Sequence, residues 1–235
     1  MKTLFNLMHL DFISIKNKSL PAFIVGIILV TTISIVLVPH AAASMPFLAM
    51  GFMSPMSITA EKNGYNRLYG ILPVSRKQVV YARFAEAFIL CLVAALIGIA
   101  IGSISVALGL YSHLIPGLDK IVLVIDTFIS EGLTPAYATS IFFLTACFSF
   151  AVLYFIDFIF GVEKEGPATL IIMFGLCLII AFLILVVGID FAEIINNFIE
   201  STSRTTMAII LYLLGMILIA ISAVITSSIM NKREL

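Results

Sequence analysis

Residues 61–83 read EKNGYNRLYGILPVSRKQVVYAR and carry five of the chain's thirteen basic residues: Lys62, Arg67, Arg76, Lys77 and Arg83. Almost everything on either side is apolar. The mixture does not amount to a catalytic constellation, because no His and carboxylate set accompanies it. It suits gripping another protein, since aromatic residues and Arg dominate buried contacts at protein interfaces. Tyr65, Leu68 and Tyr69 fall at i, i+3 and i+4, so on a helix they share one face and can enter a groove together. Arg67 adds a charge beside that face.

Few other residues could do chemistry. His9, His40 and His113 are scattered along the chain, and neither G-x-S-x-G nor H-E-x-x-H occurs. Cys91, Cys147 and Cys177 lie singly inside apolar runs, without metal-ligand spacing. Their odd number fits no closed disulfide framework, so they read as small packing residues. There is no G-x-x-x-x-G-K-[ST] phosphate loop, and the chain is not expected to bind ATP or any metal itself. An enzyme is therefore not expected.

Three further groups have two readings each. Glu86 and Asp157 sit near the ends of apolar runs, where an acid is a functional candidate by default. Either can instead snorkel, and Glu86 can pair with Arg83. Met50, Met53 and Met56, with Phe47 nearby, either line a path for an amphipathic substrate or fill irregular gaps near prolines. Ala94, Gly98 and Gly102 form a small-residue stripe that permits close helix approach, within one subunit or between two.

These residues must be positioned by a very apolar scaffold. The 235-residue chain has a mean hydropathy of +1.20, 62% hydrophobic and 11% charged residues. A soluble domain carries roughly 25% charged residues. The excess cannot be hidden in a soluble core, so the solvent is a bilayer. Net charge is zero, which argues against a nucleic-acid partner.

A spanning helix needs about 20 apolar residues. The runs predict six spans, at about 20–38, 41–59, 82–110, 135–160, 168–189 and 206–229. The second is interrupted by Pro46, Gly51 and Pro55, and the third is longer than a bilayer requires. The expected fold class is all-α, a single polytopic membrane domain over 1–235. An amphipathic interfacial helix at 3–17 precedes the first span, with Leu4, Met8, Phe12 and Ile15 on its apolar side and His9 on the other. Further surface helices are expected at 118–130 and 190–200. No cleavable signal is apparent.

Basic residues set the orientation. Lys2, Lys16, Lys18, the five residues of 61–83, Lys164, Lys232 and Arg233 fall on one side. Only Lys120 and Arg204 fall on the other. Both termini and the segment 60–81 are therefore expected in the cytoplasm.

That segment is punctuated for a defined shape. Gly70 can end a short helix starting near Ala60. Leu72-Pro73 forces an extended step. Ser75-Arg76-Lys77-Gln78 is a capping box, with Val74 and Val79 placed as a hydrophobic staple. The second helix then runs straight into the third span. A topology anchor would explain the charge but not the Gly, Pro, cap and staple.

Glu61, Gly64, Leu68, Leu72-Pro73-Val74-Ser75-Arg76 and Arg83 resemble the signature after the second span of ABC-2-type permeases, the membrane subunits of ATP-driven exporters. Arg83 stands where Lys is more usual. The motif covers about a tenth of the chain, and the six-span layout extends the resemblance over the rest. The short chain most resembles the small permeases that export amphipathic peptides, including phenol-soluble modulins. The resemblance implies that residues 60–70 are a coupling helix seated in a groove of a separate cytoplasmic ABC ATPase, and that ATP and magnesium bind there. It further implies a second permease copy or paralogue completing a dimer in the lipid of a bacterial cell membrane. Glu61, Gly64, Tyr65, Arg67, Leu68, Tyr69, Leu72, Pro73, Ser75 and Arg76 are then the ATPase-docking set. The substrate expected is a hydrophobic or amphipathic peptide or toxin. A secondary transporter and an intramembrane enzyme are the rivals. The first would need a midplane ionisable site, whereas the acids here sit near the membrane edges.

Overall fold

The computed structural model describes residues 20–36, 39–51, 75–109, 134–161 and 203–232, together with Leu7 and His9. Every regular element among them is helical. Helix α1 is Leu20–Val36. A 3-10 turn, Pro39–Ser44, leads into a short helix at 45–51. The long helices are α2 (Arg76–Leu108), α3 (Pro135–Phe160) and α4 (Arg204–Lys232). These three are long and apolar enough to cross a membrane, and α1 is a shorter apolar helix. Leu7 and His9, on the expected interfacial helix, are both helical, the first buried and the second exposed.

Helix ends follow local chemistry. Helix α1 is described to Val36, and Pro39, which has no N–H to donate, opens the 3-10 turn. The chain tightens through Pro39–Ser44, where Ser44 Oγ donates to the Ala41 carbonyl at 2.7 Å. The run expected to be helical from residue 41 thus begins as a 3-10 turn. Thr134 caps α3, accepting from the Tyr137 N–H at 3.3 Å, with Pro135 at the position where a missing donor costs nothing. Gly109 ends α2 with φ 59°, a left-handed conformation that glycine adopts without strain.

Contacts along the helices fix their relative directions. Phe84 packs edge-on against Tyr154, with ring centroids 5.4 Å apart, and Arg83 lies over Phe158. Numbers rise on α2 as they fall on α3, so the two are antiparallel. Ser222 on α4 donates to the Ala151 carbonyl at 3.0 Å, while Arg204 lies over the Tyr137 ring. Helices α3 and α4 are therefore parallel. Ser105 on α2 donates to the Ser34 carbonyl on α1, and Leu48 meets Gly26, so α1 runs parallel to α2 while 45–51 runs back. Ser75, Gly161 and Lys232 consequently lie at one end of the bundle. Ser44, Gly109, Thr134 and Arg204 lie at the other.

The burial pattern is that of a protein solvated by lipid. The seams hold Ala49, Ala87, Ala94, Ala95, Gly98, Ala146, Ala151, Gly215 and Ala223. Large aliphatic residues point outward, with Val25 62% and Ile28 60% exposed. Small residues let backbones approach where lipid provides no hydrophobic drive between helices. The main core collects Phe84, Phe143, Phe150, Tyr154, Met45, Cys91 and Cys147.

Candidate functional site: the capped start of α2

Ser75 adopts extended geometry (φ −77°, ψ 149°) immediately before α2. Its hydroxyl accepts from the Gln78 N–H at 3.4 Å, and the Gln78 side-chain carbonyl accepts from the Ser75 N–H at 3.1 Å. Two orphan donors of the first turn are satisfied reciprocally. Arg76, Lys77 and Gln78 are exposed, whereas Val80 is fully buried. Helix α2 is continuous from Arg76 for 33 residues, about 50 Å at roughly 1.5 Å per residue. Residues 76–81 are thus the first turns of the same continuous helix that forms the third span.

Behind the cap lies a polar layer shared by three helices. The Arg83 guanidinium is 5.7 Å from the Phe158 ring centroid. Arg83 is only 6% exposed and Glu86 9%. The Tyr81 hydroxyl and Ser227 Oγ are hydrogen-bonded at 2.9 Å, tying α2 to α4. Tyr154, next to Phe84, and Asp157 bring α3 into the same level. The sequence linked Glu86 to Arg83 and named Asp157 separately, and the structure brings their two helices together here. Nothing in the sequence pointed to Tyr81 or Ser227, although Ala208, Gly215 and Ser222 recur at heptad spacing that marks the packed face of α4.

The other expected residues divide by location. Glu61, Gly64, Tyr65, Arg67, Leu68, Tyr69, Leu72 and Pro73 lie outside the described residues, as do Met53 and Met56. Phe47 is partly exposed and edge-on to Phe142 at 5.6 Å. Met50 is half-buried against the main core. Ala94, Gly98 and Gly102 are all buried. A Cβ on Gly98 would lie 2.5 Å from the Ala42 carbonyl oxygen and 3.3 Å from Met45 Cβ. That glycine packs against the turn of its own chain. Among the described residues no group of three or more His, Cys, Asp or Glu is placed to hold a metal.

The family described as "ABC-2 family transporter protein" matches residues 6–231. The chain belongs to the ABC-2 transporter family. No curated protein and no solved structure matches it. The match takes in the capped start of α2, the described helices up to residue 231 and the segments between them. This ABC-2 chain is therefore a membrane component of a transporter, and permeases of the family generally work with an ABC ATPase partner.

Proposed function

We propose that the chain is the membrane-spanning, non-catalytic permease subunit of an ATP-binding-cassette exporter, moving a hydrophobic or amphipathic peptide or toxin out of a bacterial cell. A separate ATPase binds ATP and magnesium and docks on residues 60–70. Two permease copies, identical or paralogous, enclose the path in the lipid bilayer. The observation that carries this reading is the continuity of α2: a rigid rod starts at a fully formed cap directly after the docking motif and packs on both α3 and α4. A displacement of the capped start of α2 meets no break in that helix before it reaches the bundle.

The helix directions support the six-span topology. Ser75, Gly161 and Lys232 share one end, together with the basic residues Arg76, Lys77 and Lys232; the other end has Arg204. By the positive-inside rule the first end is cytoplasmic. Parallel α3 and α4 start at the same end, which requires an odd number of crossings between them and accommodates the span expected at 168–189.

Two experiments test the reading. A cysteine placed at Asn63 is labelled by an impermeant maleimide only from the cytoplasm, and one at Asn197 only from outside; the reverse would overturn the orientation and the docking with it. Disabling the phosphate loop of the co-purifying ATPase abolishes export, while collapsing the proton gradient at constant ATP does not. Transport that follows the gradient and ignores the ATPase would establish a secondary transporter instead.

A further inference from the structure

We propose that Arg83 is the positioning residue through which movement of the docking segment is passed from α2 to α3 and α4. The inference rests on the docking of an ATPase next to Ser75. It assigns a role to a buried charge that topology and packing alone do not require.

Arg83 lies eight residues beyond the cap, about 12 Å along the rod at roughly 1.5 Å per residue. Arg76 and Lys77 already supply exposed positive charge at this end of the bundle, so membrane orientation does not need another cation. Arg83 differs from them in being buried and in lying over the Phe158 ring of α3. One residue on, Phe84 meets Tyr154 edge-on; two residues back, Tyr81 reaches Ser227 of α4. Three consecutive contacts, two to α3 and one to α4, therefore fall within a single turn of α2. Arg83, Glu86, Tyr154 and Asp157 are each engaged in interactions rather than standing alone. The Thr226 hydroxyl, adjacent to Ser227, is fully buried with no hydrogen-bond partner among the described residues.

A buried guanidinium ties this turn of α2 to α3. Separating α2 from α3 here would leave a desolvated charge without its surroundings, which is strongly unfavourable. Sliding by an intermediate amount would lose the ring contact and gain nothing. The turn therefore moves with α3 and α4 or stays with them. Further along, the Cys91–Cys147 and Gly98–Ala42 levels are close-packed and uncharged. They resist separation but impose no charge penalty for small shifts.

The test uses the complete exporter, purified from its native membrane with its ATPase bound and placed in lipid nanodiscs. Hydrogen exchange is followed at residues 150–160 and 222–232, with and without ATP and vanadate. In the wild type, nucleotide changes exchange in both segments. Arg83→Gln keeps the ATPase bound, but its nucleotide-dependent change falls about tenfold, within the ordinary range of coupling between sites. Arg83→Lys, which retains the cation over the ring, restores most of the response. Lys77→Gln behaves as wild type. Phe158→Leu keeps an apolar side chain and weakens the response; it decides the matter if Arg83→Gln fails to accumulate. An unchanged response in Arg83→Gln or in Phe158→Leu would overturn the assignment. Loss of the ATPase from Arg83→Gln would also overturn it, by making Arg83 part of the docking surface. A wild-type complex that carries no ATPase would overturn the docking reading itself, and that failure is visible in the purification before any exchange is measured.

Discussion

Cys91 faces Cys147 across the seam between α2 and α3, one heptad along each helix from the Phe84–Tyr154 ring pair. Both thiols are free, fully buried and adjacent. Position 84 pairs with 154 and position 91 with 147, so each step of seven up α2 is matched by seven down α3. A further step of seven along α2 reaches Gly98, where the turn Pro39–Ser44 closes over the helix.

The thiol pair gives the first prediction. Each of Cys91→Ala and Cys147→Ala removes a buried group and lowers stability in a detergent unfolding titration by roughly 1–2 kcal/mol. Because the two side chains touch, the double variant departs from additivity by about 0.5 kcal/mol or more. Strict additivity would place the thiols out of contact and the α2–α3 register in error.

Close approach at Gly98 gives the second. Gly98→Ala drives a Cβ into the Ala42 carbonyl, which is backbone and cannot rotate away. The expected loss is about 1–3 kcal/mol, seen as a lower unfolding temperature. At Gly215 a Cβ would meet the Phe143 ring at 2.9 Å, and a ring can shift, so Gly215→Ala costs less. Gly51 has open space around it, and Gly51→Ala leaves stability unchanged. Equal effects at Gly98 and Gly51 would contradict the packing of the turn against α2.

His40 gives the third. It lies in the 3-10 turn, and burial lowers its pKa from the ordinary value. Neither ring nitrogen has a hydrogen-bond partner among the described residues. The folded protein therefore holds the proton less readily than the unfolded chain. Stability is fully present above the unfolded pKa of about 6.5 and declines as pH falls through it towards the lower folded value. His40→Gln, which cannot take up a proton, flattens this acid-side decline in an unfolding series. A decline of equal steepness in the variant would assign it to other groups.

What was legible in the sequence follows from how local each signal is. Apolar run length located α1, α3 and α4 to within a few residues, because a helix in lipid has no alternative way to satisfy its backbone. The Ser75 box was readable because a cap is a contact between residues three apart. The small-residue stripe announced a close approach but not its partner, since Ala42 is more than fifty residues away and touches Gly98 only after the chain turns back at Pro39–Ser44. The polar layer was the least legible. Arg83 was legible as part of the signature and as a local partner for Glu86, but only the antiparallel register of α2 and α3 sets it over Phe158.

The Ser75 cap separates coupling from docking and gives the fourth prediction. Ser75→Ala leaves the Gln78 N–H without its side-chain acceptor, a loss of about 1 kcal/mol, and loosens the first turn of α2. ATPase association persists while export falls. Loss of association instead would place Ser75 within the contact surface rather than at the hinge beside it.

The account stands on residues 60–70 being the seat of an ATPase, and one measurement addresses that directly: pull-down of the ATPase with Tyr65→Ala/Leu68→Ala, alongside export in the same cells. Two apolar anchors are removed from one helical face, and truncating such anchors dominates the loss at an interface. The double variant should reach the membrane at wild-type levels, fail to retain the ATPase and fail to export. Normal association and normal export would reduce the segment to a positively charged anchor and contradict the account.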